Sequence, residues 1–197
     1  PDFASINESH YLEAFYEGTK EQLTEVDAII ASGEPTFENT IVALEKSGRI
    51  LTRVLVVFYN KSSSDTSVAL DKIKEEIAPK RSAHQDAIRL NPALFARIKS
   101  LHDQKDELSL NAEDSWLLEK YYRDFVYAGA HLTQDQRHEL TKLNERLSFL
   151  ETQFSKNLLS DTNDSALIVD SKDELAGLSD SQIQAAADAA SERGFAG

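Results

Sequence analysis

Apolar positions recur along most of the chain at intervals of three and four residues, which is the period of an amphipathic α-helix. The first stripe predicts a helix over roughly residues 9–31. Gly33 follows at the position of a left-handed C-terminal cap, and Glu34-Pro35 makes the connection to the next segment. The residues of this first stripe are Leu12, Phe15, Leu23, Val26 and Ile30.

A second stripe starts after Thr36, a residue type that often caps a helix N-terminus, and it stays in phase across Ser47-Gly48. This predicts one continuous helix in which Gly48 lies on the buried face. A glycine inside a helix costs about 1 kcal/mol relative to alanine, so we expect another element to approach closely there. The alternative is that Gly48 ends the helix. The stripe consists of Phe37, Ile41, Leu44, Gly48, Leu51, Leu55 and Phe58.

Polar side chains stand early in this second segment. Asn39 and Thr40 lie in the first turn after Thr36, where polar side chains can accept hydrogen bonds from exposed backbone N–H groups. We interpret the whole block as a structural motif. Its residues are Phe37, Asn39, Thr40, Ile41, Leu44, Glu45 and Gly48.

Further stripes predict four more long helices. The third carries Pro79, which predicts either a kink or a split into two helices. Asn91-Pro92 is typical of an N-cap and a first-turn proline, and it opens the fourth helix. Asn111 opens the fifth helix and Gly129 breaks it, while Thr133 and Gln136 form a capping box for the sixth. The inward positions of the third and fourth helices are Leu70, Ile73, Ile77, His84 and Ile88, then Leu94, Phe95, Ile98 and Leu101.

The sixth helix is the longest, and its apolar residues form a seam suited to packing. The seam residues are Leu140, Leu143, Leu147, Leu150, Phe154 and Leu158.

After Asn163 the pattern changes: residues 166–170, Ala-Leu-Ile-Val-Asp, look like a strand whose partner is missing from this chain. Ser179 with Gln182 caps a last helix, which Gly194 closes.

These elements predict a mostly all-α fold of about six to eight antiparallel helices, with at most one short strand near residues 166–170. We expect a helical domain over residues 1–163 and the truncated start of a further segment over residues 164–197. The chain starts at Pro1 and contains no Met, so we expect that its natural start is missing.

Composition narrows the function classes. The 197 residues carry a net charge of −13, which disfavours binding to nucleic acid or to an anionic membrane surface. The chain has no cysteine, which removes disulfides, thiolate metal sites and cysteine nucleophiles.

No complete set of catalytic or metal-binding residues is visible in the sequence. The histidines lack the i, i+4 partners that a zinc helix needs. At His138 the sequence His-Glu-Leu-Thr-Lys places Lys142 where the second ligand would stand, and a cation there would repel the metal. His84 lies on an apolar stripe, where a hydrogen-bonded core histidine is the expected role. The five histidines are His10, His84, His102, His131 and His138.

An aromatic cluster in the fifth helix has two open interpretations. Tyrosine carries a polar tip, so part of the cluster could line a groove, while core packing is the simpler role. The cluster consists of Trp116, Tyr121, Tyr122, Phe125 and Tyr127.

Four segments in this order resemble a known family. They are residues 10–18 (HYLEAFYEG), 35–54 (PTFENTIVALEKSGRILTRV), 90–98 (LNPALFARI) and 125–132 (FVYAGAHL), and residues 165–194 continue the likeness. Together they resemble the N-terminal region of the thimet-oligopeptidase-like (M3 family) zinc metallopeptidases, and most of all the peptidyl-dipeptidase branch.

The resemblance implies an almost entirely helical parent enzyme with a deep channel that hydrolyses short peptides. It implies one zinc ion held by a His-Glu-x-x-His helix and a further glutamate, all beyond this chain. No catalytic or zinc-binding residue therefore carries over, and we expect this chain to bind no cofactor and to be inactive alone. Its expected role is channel wall and access restriction, with Tyr121, Tyr122 and Arg123 as candidate peptide-facing residues.

The resemblance implies that the partners are short peptides, through the full-length enzyme, and the rest of the same polypeptide. We expect a cytoplasmic protein, or a periplasmic one if a signal peptide was trimmed. Two alternatives remain open: a part of an oligopeptidase that cuts internal bonds, and a free-standing helical domain that binds a protein partner.

Overall fold

The computed structural model describes residue 3, residues 5–169 and residues 171–195, and every regular element in this part is a helix. This confirms the predicted all-α fold class. A π-helical segment (Phe37–Val42) runs directly into α2, and a 3-10 turn (Lys172–Leu175) precedes α8. The α-helices are α1 (Glu8–Ile30), α2 (Ala43–Lys46), α3 (Arg49–Ser64), α4 (Val68–Arg89), α5 (Pro92–Asp103), α6 (Ala112–Ala128), α7 (Gln134–Asp164) and α8 (Asp180–Glu192).

The helix starts follow local capping signals in the sequence. The Asn91 side-chain oxygen accepts hydrogen bonds from the backbone N–H groups of Ala93 (3.0 Å) and Leu94 (3.1 Å) at the start of α5. Asn111 caps α6 in the same way, and Ser179 forms a capping box with Gln182 at α8. Each cap satisfies N–H groups of the first turn that have no partner inside the helix. The predicted caps at these three positions are confirmed.

The second predicted helix is not continuous, and this part of the prediction is wrong. Gly48 adopts φ +66° and ψ +25°, the left-handed conformation, and the extended Ser47 before it ends α2. The helix direction therefore changes between α2 and α3, although the apolar stripe keeps its phase. The alternative, in which Gly48 ends a helix, is the correct one. Gly48 is nevertheless buried, as its place on the stripe predicted.

Other long helices also differ in detail from the expected pattern. Pro79 lies inside α4, which remains a single helix from Val68 to Arg89 rather than two. The apolar seam of α7 is largely exposed, with Leu143 65% exposed and Leu147 54% exposed. The seam is thus suited to packing, as the sequence indicated, but only Leu140 at its start is partly buried, beside Gly129.

Two buried clusters hold the helices of residues 1–152 together, and α1 contributes to both. Phe15, in the first half of α1, packs with residues of α3 and α4. Val26 and Ile29, in the second half, pack with the π-helical segment, α2, α5 and α6. The first cluster is Phe15, Leu51, Phe58, Leu70, Ile73 and Ile77, and the second includes Val26, Ile29, Ile41, Leu44, Leu94, Ile98, Leu101, Leu118 and Phe125.

Gly18, which the sequence did not single out, makes a close contact between the backbones of two helices. A Cβ atom added to Gly18 would lie 2.9 Å from the Cα atom of Leu51 and 3.1 Å from its Cβ atom. Since real Cβ atoms do not approach backbone so closely, a side chain at Gly18 would push α1 and α3 apart. Glycine is thus needed here for packing, in a conformation that any residue can adopt.

The chain divides into two compact units, Pro1–Thr152 and Gln153–Gly197. Within the second unit, the guanidinium of Arg193 donates hydrogen bonds to the backbone oxygen and the side-chain oxygen of Asn163, each at 3.2 Å. Residues 166–169 form no strand, as a lone extended segment has no ladder to join, and Asp170 lies outside the described residues. The predicted domain boundary at 163/164 stays a prediction.

Candidate functional site

Arg97 of α5 is buried, with 7% of its surface exposed, and it binds the end of α1. Its guanidinium donates to the backbone oxygens of Ile30 and Gly33 and to the hydroxyl of Ser32. It also donates to the side-chain oxygen of Asn39 at 2.9 Å. The charge thus lies against carbonyl groups at a helix C-terminus, where a cation is favourable.

The polar residues of the early motif complete this network. Thr40 is fully buried, and its hydroxyl lies 3.2 Å from an Arg97 nitrogen. Asn39 accepts from the backbone N–H of Thr36 at 2.8 Å and donates to the backbone oxygen of Glu34 at 3.0 Å. In the described part of the chain no carboxylate pairs with Arg97, so these neutral oxygens solvate its charge. Asn39 and Thr40 therefore do more than cap the first turn, as the sequence suggested: they also bind the buried guanidinium of Arg97.

The junction at Gly48 is fastened to α1 by side chains of that helix. The Gly48 N–H donates to Oε2 of Glu25 at 2.7 Å. The amide of Gln22 lies where a Cβ atom of Gly48 would stand, with its Nε2 atom only 2.3 Å from that position. Gln22 donates to the Ser47 hydroxyl at 3.4 Å and shares a hydrogen bond of 2.7 Å with Nε2 of His84.

His84 is a hydrogen-bonded core residue, as the apolar stripe predicted. Its exposed fraction is 7%, and its Nδ1 atom has no hydrogen-bond partner in the described structure. Burial lowers the pKa of His84 below its ordinary value, because the charged imidazolium would be poorly solvated there. The neutral ring, with its proton on Nε2 and donated to Gln22, fits this surrounding.

Glu45 and Tyr121 join the motif to α6. The Tyr121 hydroxyl donates to Oε1 of Glu45 at 2.7 Å. Burial, together with the nearby carboxylate, raises the pKa of Tyr121 well above that of free tyrosine. Phe37, Ile41 and Leu44 pack into the second cluster on the other side of the segment. Every residue of the predicted motif thus contacts α1, α5 or α6.

The aromatic cluster divides between core and surface. The Tyr122 ring stacks on His102, with centroids 3.8 Å apart, and lies 5.9 Å from the Phe95 ring. By contrast, Trp116 is 60% exposed and Tyr127 is 80% exposed. Arg123 is also exposed, whereas Tyr121 and Tyr122 are partly buried and have internal partners. Their predicted contact with peptide stays a prediction.

The described residues do not fit a zinc site. They contain no group of three or more His, Asp or Glu side chains placed to hold a metal ion. His138 is exposed, and Lys142 forms an ion pair with Glu139 at 3.2 Å. His102 instead hydrogen-bonds to Glu119 at 3.0 Å, and Lys105 shares that carboxylate.

A polar groove of about 460 Å³ lies between α4 and α7, with the C-terminal end of α6 and Tyr59 of α3 also lining it. Asp86 of α4 accepts two hydrogen bonds from the Asn144 amide of α7, at 2.9 and 3.1 Å. Burial raises the pKa of Asp86. This groove is not predictable from the sequence, because its residues come from four helices and follow no motif.

Among the described residues, no helix is both long enough and apolar enough to cross a membrane. The described residues form a helical scaffold with buried polar junctions and an open groove, and no group of them is placed to hold a metal ion.

The chain is similar over nearly its whole length to known peptidases. It is 36% identical over 196 residues, 99% of the chain, to the dipeptidyl carboxypeptidases of Escherichia coli and of Salmonella typhimurium. It is 25% identical over 199 residues to oligopeptidase A of Salmonella typhimurium. The chain spans about 29% of the length of each of these relatives. No family model matches it.

These similarities confirm the resemblance that the sequence segments indicated. Over nearly its whole length the chain is therefore similar to part of a dipeptidyl carboxypeptidase and, less closely, to part of oligopeptidase A.

Proposed function

We propose that this chain is the N-terminal, non-catalytic part of a zinc-dependent peptidyl-dipeptidase that releases dipeptides from the C-terminal ends of short peptides. The observation that carries the proposal is the 36% identity to dipeptidyl carboxypeptidases over 99% of the chain. The identity to oligopeptidase A is lower, at 25%. The difference favours the peptidyl-dipeptidase branch over the oligopeptidase branch.

In this proposal the chain forms channel wall and restricts access, and the remainder of the parent polypeptide supplies zinc and the catalytic residues. The chain spans only about 29% of its relatives' length, which leaves room for a separate catalytic region. The buried junctions at Arg97 and Gly48 support a wall role, because they hold α1, the π-helical segment and α5 in fixed positions. A rigid wall can exclude large or folded substrates by its shape.

Product analysis of the parent enzyme tests the reaction. A peptide with a blocked N-terminus should release a C-terminal dipeptide, and a chelator should stop the reaction. The same peptide with a C-terminal amide is the matched control, and it should react far more slowly. Cleavage at internal bonds of both peptides would instead favour the oligopeptidase branch, which is the second candidate.

The chain alone should not hydrolyse a blocked tripeptide, with or without added zinc. Zinc-dependent dipeptide release by the chain alone would contradict the proposed division of roles.

A third candidate is a free-standing helical interaction domain, which would bind its partner through the exposed apolar side chains of α7. The downstream coding sequence distinguishes it: a His-Glu-x-x-His helix several hundred residues further on supports the peptidase, and a stop codon directly after Gly197 supports the interaction domain.

We further propose a cytoplasmic location and a domain boundary between residues 163 and 164. Cell fractionation tests the location, since a periplasmic protein would be released by osmotic shock. Limited proteolysis tests the boundary, because cleavage should concentrate just after residue 163.

A further inference from the structure

α7 is the longest helix in the described part of the chain, yet none of its 31 residues is buried. By contrast, α1, α3, α4, α5 and α6 each contribute two or more buried residues to the fold. An element with so little buried surface separates from its neighbours at a small cost in free energy. The attachment of α7 to the rest of the first unit, Pro1–Thr152, therefore depends on a few individual contacts.

The side of α7 that faces α4 is polar. Asn144, Ser148 and Thr152 are partly buried there and line the groove. Leu147, which also lines the groove, is 54% exposed, and Leu150 lies outside the lining and is 45% exposed. Because apolar surface that stays in contact with water gives no stabilisation, hydrophobic packing holds this part of α7 to α4 only weakly.

A hydrogen-bonded pair of side chains fastens α7 to α4. The Nδ2 atom of Asn144 donates to Oδ1 of Asp86 at 2.9 Å and to Oδ2 at 3.1 Å. Burial raises the pKa of Asp86, and the hydrogen bond from Asn144 acts against this rise because it stabilises the carboxylate. A hydrogen bond to a charged group is stronger than one between neutral groups.

The groove-facing hydroxyls beyond Asn144 add no such contact. In the part of the chain that the structure describes, neither Ser148 nor Thr152 forms a hydrogen bond to α4. The Thr152 hydroxyl instead donates to the backbone oxygen of Ser148 at 2.9 Å, within α7 itself. The contact between Asn144 and Asp86 therefore acts as a latch between the two helices.

The base of α7 is held by an apolar contact at the turn from α6. Gly129 ends α6 in the left-handed conformation, with φ +100°. A Cβ atom added to Gly129 would lie 2.6 Å from Cδ2 of Leu140 and 2.9 Å from Cδ1 of Leu132. Leu140 therefore packs directly on this turn, and residues 141–152 extend about 18 Å beyond it at 1.5 Å per residue. The turn is placed to act as a pivot, and Asn144 lies about one helical turn beyond Leu140.

We propose that residues 134–152 of α7 form a latched arm, which swings away from α4 about the turn at residues 129–132 when the contact between Asn144 and Asp86 breaks. This contact then sets the width of the groove. The inference goes beyond the proposed function, which relies on fixed junctions at Arg97 and Gly48 and assigns no moving element.

Double electron–electron resonance between two nitroxide labels measures the motion. The chain contains no cysteine, so two introduced cysteines are labelled specifically. Ala83→Cys on α4 and Leu150→Cys on α7 place the labels at exposed positions outside the groove lining. Leu150 lies about 15 Å beyond Leu140, where a swing about the pivot gives a large displacement. We expect a major short distance from the latched arm and a minor longer distance from the released arm.

Removal of the latch should change the ratio of the two distances. In the labelled chain, Asn144→Ala should raise the ratio of long to short distances by at least about ten-fold, because the hydrogen bond to the carboxylate is lost. Ser148→Ala is the matched control, since Ser148 faces the same groove one turn further on. In this control the ratio should stay within about two-fold of the original. An unchanged distribution in Asn144→Ala, or an equal shift in Ser148→Ala, would overturn the proposal.

A second pair of labels distinguishes the motion of the arm from a loss of the fold. Ala28→Cys on α1 and Ala83→Cys on α4 are exposed positions on two helices that a buried cluster joins without α7. This reference distance should be the same with and without Asn144→Ala. A change in it as large as that measured at α7 would mean that Asn144 stabilises the whole unit, and it would overturn the latch. The measurement uses the chain alone, so its outcome is independent of the reaction proposed for the parent enzyme.

Discussion

The backbone N–H of Gly48 donates a 2.7 Å hydrogen bond to Oε2 of Glu25, and this contact fastens the junction between α2 and α3 to α1. At this junction the extended Ser47 ends α2 and the left-handed Gly48 caps the start of α3. The adjacent Gln22 amide occupies the space that a side chain at position 48 would need. Backbone conformation and packing therefore both select glycine here.

Gly48→Ala should destabilise the chain by about 2–4 kcal/mol, because left-handed strain adds to displacement of the Gln22 side chain. The measurement is the free energy of unfolding in urea. Gly33→Ala is the matched control: Gly33 also has a positive φ, +80°, but nothing lies within 4 Å of its added Cβ atom. We expect about 1–2 kcal/mol there, from strain alone. Equal losses in the two variants would show that the Gln22 contact is unimportant.

Arg97→Lys should cost about 2–4 kcal/mol of unfolding free energy, although it keeps the charge. An ammonium group cannot reproduce the planar set of contacts to the carbonyl oxygens at the end of α1 and to Asn39. Arg53→Lys, at an exposed position, is the control and should stay within about 0.5 kcal/mol of the original protein. A similarly small loss of unfolding free energy in Arg97→Lys would mean that the positive charge, and not the shape of the guanidinium, stabilises this site.

His84 should make the chain less stable in mild acid. Burial lowers the pKa of His84 in the folded state, so the unfolded chain takes up the proton first as the pH falls below about 6.5. Protonation of the unfolded state lowers the free energy of unfolding until the folded-state pKa is passed, and the contribution is absent above about pH 7.5.

Unfolding free energies at pH 7.5 and pH 5 check this for the original chain and for His84→Gln, which should lose less stability on acidification. His138→Gln, at an exposed histidine, should behave like the original chain. Asp86, whose pKa burial raises, contributes with the opposite sign but is common to all three proteins and cancels in the comparison. An unchanged pH dependence in His84→Gln would contradict the prediction.

Tyr121→Phe should destabilise the chain by about 1 kcal/mol, since it removes the hydrogen bond to Glu45 and leaves the ring in place. The neighbouring Tyr122→Phe is the matched control, because Tyr122 contributes through stacking on His102 and Phe95, which phenylalanine preserves. Thermal unfolding compares the two variants. A larger loss at Tyr122 would show that its hydroxyl, rather than its ring, stabilises the fold.

The helices and most of their ends were predictable because their signals are local. Asn91-Pro92, Asn111 and Ser179 each satisfy backbone N–H groups within three residues along the chain, so a short window of sequence contains both partners. The presence of an aromatic band on α6 was predictable for the same reason, because its residues are close together in the sequence. Which of its rings are buried depended on neighbours from α5, so Tyr122 and Tyr127 could not be distinguished beforehand.

The groove could not be predicted, because Arg81 and Asn144 are 63 positions apart in the numbering and belong to no shared motif. The partners of Arg97 were hidden for the same reason. Its sequence position inside an apolar helix suggested no role, and the oxygen atoms that solvate it come from the end of α1 and from Asn39.

The amino-acid sequence alone determined that this protein is helical, where most of its helices begin, and to which peptidases it is related, since periodicity, capping and residue identity are all read along the chain. Only the tertiary structure decided that Gly48 turns the chain rather than continuing a helix. The apolar stripe has the same phase in both cases. What distinguishes them is the presence of Gln22 and Glu25 of α1 beside the junction, where one side chain fills the space of a Cβ atom and the other binds the freed N–H group.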